Sequence, residues 1–585
     1  MRLKRELVAN FFATLALAFF VIGCQQTVSN PAEVENLTKL CKVWGYVKYH
    51  HPAFLLEKVD WDEELLSLIP QVRKVKATED VNKLLHTWFV SLGEINYGTG
   101  KPSPIWTMAN EKDKVPITDT SWTADAAYLG GALTSDLAQV SGPLCVAGPY
   151  APVVNLTSGN GMTDFFVNEP EHTVAYSDTE FRLLGLFRLW NAVEYYFPYL
   201  DLLDESWESC LEEYIPRILE GRDRISYEMT LASLACRLHD GHVHLSGTDV
   251  GNALGTYYLP NALQEVDGKL VVANATEGSL LEPGDILLAV NGKNVETLMA
   301  ERQEYLAYPR EVDALGYLAY DVTKSVSKRI QGTLLRDGEE RTLTVTGSLY
   351  RAPLHVSGAT NRESVSMYQL LEGNIGLINP AVFVSSKTAQ IMDELRDTNG
   401  LIVDLRQYPN EEESGMALLG LSNYLGVAYN KFLIYGEPSV AVPGTYIKKT
   451  YSPNTWDSRG RARACALQSY LYEQPIVVLM DRGTQSNGEV SVRMLCMGEN
   501  TVTMGENSAG VDGPIANLPL PGGLHLTFSA RRAYGLDGEL IQRTGIAPDI
   551  PVEPTIQGIK EGRDEVLEAA IEYIKSNSEK EAMSK

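Results

Sequence analysis

A duplication constrains this chain more than any other feature of its sequence. Trp44-Gly-Tyr-Val-Lys-Tyr-His-His-Pro52 reappears as Trp190-Asn-Ala-Val-Glu-Tyr-Tyr-Phe-Pro198, and Trp61 follows Trp44 by the same interval at which Trp207 follows Trp190. Each copy predicts a helix stopped by its proline, which lacks an N–H and clashes with the preceding turn. A short loop and a second helix come next, beginning near Trp61 and Trp207. Aromatic residues at this spacing read as packing, which makes His50 and His51 structural or surface residues. Two copies are too few for a solenoid. Residues 25–175 therefore read as an added N-terminal α+β module that echoes the helical start of a second unit, residues 176–251.

A chain of 585 residues exceeds a single core and predicts several domains. Its formal charge of -25 excludes a nucleic-acid groove, which needs clustered cations to replace phosphate counterions. Arg2, Lys4 and Arg5 precede an apolar run from Leu7 to Gly23, the pattern of an export signal over residues 1–24. The run is short for a membrane span and is broken by Asn10 and Thr14. Gly23 before Cys24 resembles a bacterial lipobox, which implies a mature chain anchored by lipid on Cys24 in the cell envelope, periplasm or outer membrane. A simple secretory signal is the alternative. Six further cysteines are scattered without a C-x-x-C pair and read as single buried thiols.

The texture then changes three times. Punctuation such as Gly98-Thr-Gly-Lys-Pro-Ser-Pro104 predicts a small β-rich portion before Tyr176. Residues 252–350 alternate apolar strands with turns at Asp267-Gly268 and Asn291-Gly292. Within them Leu281-Glu-Pro-Gly-Asp-Ile-Leu-Leu-Ala-Val-Asn-Gly292 resembles the central strand and turn of a PDZ domain. That resemblance implies capture of an extended peptide, its carboxylate held by backbone amides, with Tyr257-Tyr-Leu-Pro260 as the candidate loop. From 351 to 560, apolar runs at Asn374–Ile378, Gly400–Leu405 and Pro475–Met480 alternate with helical stretches, which is α/β, and 561–585 reads as a C-terminal helix.

The run ending at Met480 leads into Asp481-Arg-Gly-Thr-Gln-Ser-Asn-Gly-Glu-Val490, placing Ser486 at the mouth of a helix. Free N–H groups and the positive helix end there suit an oxyanion formed by serine attack. Ser486-x-x-Glu489 is equally a capping box, and these residues alone leave both roles open. Three histidines crowd into Leu238-His239-Asp-Gly-His242-Val-His244. A strand from Gly241 would put His242 and His244 on one face. A metal site there lacks further ligands, and no cofactor is expected.

The helical hairpin, Leu-x-Asp-Gly-His242, the PDZ-like stretch, Gly-Leu-Ile-Val-Asp-Leu-Arg406, Thr484-x-Ser-x-x-Glu489 and Gly545-Ile-Ala-Pro-Asp549 occur in the order that resembles tail-specific (C-terminal processing) serine peptidases and the related tricorn core protease. The resemblance spans about residues 180–560 and implies a crotonase/ClpP-like α/β core with an inserted PDZ domain and Ser486 as nucleophile. The processing branch carries a basic lysine where Gly505-Glu-Asn-Ser-Ala-Gly510 is here followed by Val511. Valine cannot carry a proton, so the tricorn-like branch implies His242 as base, with Asp240 and Glu489 in support. The glutamate that this branch places before its last motif falls on Gln542, with Glu539 close by. Either is expected to orient His242. The implied oxyanion donors are the amides of Asn487 and Tyr408. The expectation is an exported serine peptidase acting on peptides or unfolded proteins. The second reading is a weakened site serving as a peptide-binding module, and the third a metal hydrolase using His239, His242 and His244.

Overall fold

A computed structural model describes residues 30–98, 104–144, 148–154, 162–163, 165–172, 176–274, 276–351, 366–410, 417–453 and 470–584. The expected export signal and Cys24 lie outside them, as do Cys145 and Cys465. Among the described residues no helix is long and apolar enough to cross a membrane.

The duplication forms two sets of three helices. The first is α1 (Pro31–His50), α2 (Trp61–Lys74) and α3 (Thr78–Ser91). The second is α4 (Thr179–Tyr196), α5 (Ser209–Glu220) and α6 (Arg224–Cys236), so α5 begins two residues after Trp207 rather than at it. Asn30, Asp60, Asp178 and Asp223 each cap the next helix by accepting from its first-turn amides. Every position of the second set lies 146 residues after its counterpart. Trp44 Nε1 donates to the Trp61 carbonyl at 2.9 Å, and Trp190 Nε1 to that of Trp207 at 2.9 Å.

The two sets are related by a local two-fold. Lys42 of the first pairs with Glu208 of the second at 2.6 Å, while their counterparts Arg188 and Asp62 pair in the opposite sense. On the axis Gly45 meets its own counterpart, and a Cβ at Gly45 would stand 1.7 Å from Asn191 Oδ1. One apolar core runs from Val34 through Leu238 and takes in strand residues Ala516 to Ala530, so it continues across residue 175. Cys41, Cys210 and Cys236 are buried free thiols, and Cys496 is exposed.

Residues 104–144 are mostly helical, which corrects the β-rich expectation. Their punctuation caps helices: Asp125 accepts from Ala127 and Tyr128 at the start of Ala126–Gln139, and Gly130 kinks that helix at φ 74°. The short strands Lys114–Pro116 and Met162–Thr163 instead pair with Thr445–Ile447 and Ile515–Ala516, extending two sheets of the later unit and covering their edges.

Leu263–Val266, Lys269–Val272, Ile286–Val290, Arg329–Arg336 and Glu339–Thr346 form an antiparallel sheet with its own core. Asp267-Gly268 and Asn291-Gly292 turn it with positive φ at both residues, as expected of two-residue hairpins. The Tyr257 and Tyr258 amides donate to the carbonyls of Ser325 and Ser348 at 2.9 and 2.8 Å. The loop expected to hold a carboxylate has therefore spent those two donors on the sheet's own closure. An excursion from this β domain carries α7 (Ala314–Tyr317).

The α/β core has the strand order Tyr368–Leu371, Ile375–Ile378, Gly400–Asp404, Ile476–Met480, Thr501–Gly505, Ile550–Pro551, parallel except at the first pair. Gly400–Asp404 and Ile476–Met480 are buried throughout, as strands covered on both faces must be. Central strand Ile476–Met480 feeds α8 (Asn487–Leu495), and α9 (Glu565–Ser584) packs Ala570 and Ile574 on the other face. Ser486 thus sits beyond the carboxyl end of a central strand, where α/β sheets place ligands.

Candidate active site

Ser486 precedes α8 with φ 52° and ψ -117°, a conformation that costs a non-glycine residue of order 1–3 kcal/mol and is retained where it re-aims a side chain. Its side chain makes no capping bond. Glu489 does not reach back either: it is fully buried and accepts from Ser508 Oγ, Gly510 N at 2.9 Å and Val511 N at 2.8 Å. The capping-box reading fails on both counts. Burial and Asp512 push the Glu489 carboxyl up to about 7, against those three donors. Its contribution is to shape the 508–511 loop, whose Val511 carbonyl accepts from Ser486 N at 2.6 Å.

Val511 also touches the histidine turn, since its Cγ2 lies 2.7 Å from where a Cβ on Gly241 would stand. The residue occupying the expected lysine position is thus wedged between the Ser486 backbone and the Asp240-Gly241-His242 turn. Asp240, fully buried, accepts from His242 N at 3.1 Å, Ser529 N at 2.7 Å, Ser529 Oγ at 2.9 Å and Gln542 Nε2 at 3.2 Å. His242 Nδ1 lies 2.9 Å from Ser529 Oγ. A carboxylate only accepts, so the one hydroxyl proton of Ser529 goes to Asp240 and its oxygen accepts from Nδ1–H. That assigns the tautomer and leaves Nε2 as the basic nitrogen, buried and without a partner. Burial holds this imidazole below its usual range, against the attraction of Asp240 and Asp512.

The three histidines do not converge. His242 belongs to a turn closed by Val243 N to Asp240 O at 2.9 Å; the strand starts only at His244, so the His242 side chain is only 9% exposed while His244 is exposed. Their expected common face is overturned because Gly241 serves the turn instead. His239 packs on Tyr308 and stands 3.7 Å from Asp204. Gln542 meets Asp240 rather than His242, and Glu539 is exposed in a turn, its amide donating to Asp537. Neither orients the imidazole. Ser529 does so; nothing in Thr527-Phe-Ser-Ala530 marks it, because its partners lie almost three hundred residues upstream.

The Asn487 amide heads α8 and has no intrahelical partner by position. The Asn487 side chain is buried with both polar atoms unpaired. Pro409 lies 4.0 Å from a Cβ position on Gly488, which brings the Gln407–Asn410 loop, and with it Tyr408, against the start of α8. The Ser486 hydroxyl is 3.3 Å from the Gly513 carbonyl and is not bonded to His242. A cavity of about 1630 Å³ adjoins this region, lined by Gly241, His244, Tyr317, Arg406, Tyr408 and Gln485 among others but by neither Ser486 nor His242.

Residues 374–552 match the model of Peptidase family S41. Those residues are similar to that family over less than a third of the chain. The fold agrees: mature CPAF superposes with a TM-score of 0.50 at 16% identity, covering 68% of this chain and 98% of that one. The photosystem II D1 C-terminal processing protease gives 0.38 at 18% identity, over 66% of this chain and 98% of its own. The tricorn protease gives 0.33 at 15%, over 68% of this chain and 37% of its own. No curated protein matches the chain. Within the matched residues lie Ser486, Glu489, Val511, Ser529 and Gln542, while Asp240 and His242 come from the helical unit before the β domain.

Proposed function

We propose that this chain is a serine peptidase of the S41 type, hydrolysing peptide bonds of peptides or unfolded proteins. Ser486 is the nucleophile and His242 the general base. The observation that carries the reading is the bonding order Asp240, Ser529, His242, which leaves a bare basic nitrogen buried in a turn that Val511 joins to the strained backbone of Ser486. A rotation about the Ser486 side chain, away from Gly513, presents its hydroxyl to Nε2; such bonds commonly tighten only with substrate present. Oγ then bonds to the carbonyl carbon while its proton passes to Nε2. The amides of Asn487 and Tyr408 receive the oxyanion, and His242 returns the proton to the leaving amine. Water resolves the acyl-enzyme by the same steps. No cofactor enters. The antiparallel β domain acts as a PDZ-like module that adds an extended peptide to its sheet, and export with a lipid anchor on Cys24 places the reaction in the bacterial cell envelope.

The hydroxyl's turn toward Gly513 favours one other reading, a silent site in a peptide-binding protein. Fluorophosphonate labelling of the full chain decides between them. Wild type is expected to label, and Ser486→Ala and His242→Ala are not; a folded wild type that stays unlabelled sinks the peptidase.

A further inference from the structure

The β domain reaches the turn before His242 through Tyr317. Tyr317, the last residue of α7, places its hydroxyl 3.0 Å from the Gly241 carbonyl and 3.2 Å from the Gln485 side-chain Oε1. A phenol has one proton. The Gly241 carbonyl and Gln485 Oε1 both accept, so the phenol shares that proton between them. Gly241 precedes the base and Gln485 precedes the nucleophile. Rigid peptide planes carry a displacement at either residue to its neighbour.

We propose that Tyr317 is a positioning residue that sets the separation of Ser486 and His242; this rests on the peptidase reading above. The brace is anchored at both ends. Gly241 has no room to shift toward it, since a Cβ there would meet Tyr317 Oη at 2.9 Å as well as Val511. Beneath Tyr317, Arg310 donates to the Thr544 and Ser508 carbonyls, each at 2.9 Å, tying the same excursion to the loop that Glu489 shapes. Gly316 packs on Arg482, whose guanidinium pairs with Glu265 of the β domain and Glu506 of the core. Burial keeps the phenol protonated and hence a donor. Tyr317 also lines the cavity, so a peptide entering it meets the residue that holds the two reacting groups apart.

The test compares wild type, Tyr317→Phe, Gln485→Ala and the double variant in the full chain. Readouts are fluorophosphonate labelling rate, kcat and KM on a chromogenic peptide, and amide exchange across residues 240–243. Tyr317→Phe is expected to lower labelling and kcat about 10- to 100-fold, with KM and melting temperature little changed and faster exchange confined to the 240–243 turn. Gln485→Ala, which leaves β-domain packing alone, is expected to do the same, and the double variant to fall no further than either. Labelling of Tyr317→Phe at the wild-type rate, or losses that multiply in the double variant, overturns the brace. A wild type that never labels overturns the peptidase reading instead, so the two failures are told apart.

Discussion

The two helical sets differ least in their helices and most in the turns that leave them. α3 and α6 end alike: Leu92 N bonds Phe89 O and Gly93 N bonds Val90 O, as Leu238 N bonds Ala235 O and His239 N bonds Cys236 O. Gly93 and His239 even share positive φ, 95° and 45°. Two and four residues past each Leu, the first set has Glu94 and Asn96 where the second has Asp240 and His242. Glu94 and Asn96 are exposed, whereas Asp240 and His242 are roofed by the strand ending at Ser529. The scaffold is therefore duplicated and the chemistry is not. The second turn differs in being buried under a neighbouring strand whose Ser529 bridges His242 to Asp240.

Converting the second turn toward the first is the largest break. His242→Asn copies Asn96 and removes the base, so peptide hydrolysis should fall about 10⁴-fold with the fold retained, measured as kcat/KM beside circular dichroism. A rate within tenfold of wild type would mean that another group takes the proton. Ser529→Ala leaves the base but cuts the path to Asp240. The expected loss is about 100-fold in kcat, with KM unchanged. Because burial already lowers the His242 pKa, wild-type activity should hold to below pH 6.5 before its acid limb, and losing the hydroxyl that accepts from Nδ1–H should move that limb further down, with only the attraction of Asp240 and Asp512 left to stabilise the imidazolium. An unmoved limb would show that Ser529 only fills space.

How much of this is legible in the sequence depends on the range of each interaction. The paired helices are visible because proline stops and tryptophan spacing are local. The parallel core is visible because strands buried on both faces are apolar throughout, and the Asp-Gly and Asn-Gly turns because only such pairs accept two positive φ values cheaply. Ser486 and Glu489 spell a capping box, yet the backbone flips Ser486 out of one; the Val511 carbonyl that accepts from Ser486 N lies outside those four residues. Ser529 is invisible for the same reason, as its role exists only where strand Leu524–Ser529 crosses the histidine turn. The extension of the repeat to Asp240 and His242 is hidden because exposed Glu94 and Asn96 have drifted from them while the backbone kept its shape.

The two-fold itself can be broken on its axis. Gly45→Ala drives a methyl into Asn191, displacing an amide that donates to the Cys41 carbonyl at 3.0 Å and the Phe187 carbonyl at 2.9 Å. The expected cost is about 2–3 kcal/mol of unfolding free energy, with specific activity unaffected at permissive temperature. Asn191→Ala in the same chain should make the pair less than additive by at least about 1 kcal/mol, and full additivity in urea melts would place the two residues out of contact.

The smallest effect separates the sets by acid. His50 is buried against Tyr46, and burial lowers its pKa to about 4, whereas its counterpart Tyr196 stays neutral over this range. Between pH 6.5 and 4 the unfolded chain binds a proton at His50 that the folded chain refuses, so stability falls as pH falls through the unfolded value. From pH 7 to 5 the contribution is about 2 kcal/mol, obtained from that shift. Glu194 and Glu489, pushed up to about 7, work in the opposite sense: the folded chain keeps their protons where the unfolded chain has lost them, and stability gained in acid is lost as pH rises through 7. The net curve therefore hides the histidine. The difference between wild type and His50→Tyr reveals it, since the carboxylates cancel, and the variant's stability should fall less on acidification by about that amount. Identical pH dependence in the two proteins would mean that His50 is solvated in the folded chain and that the first helical set is looser than the second.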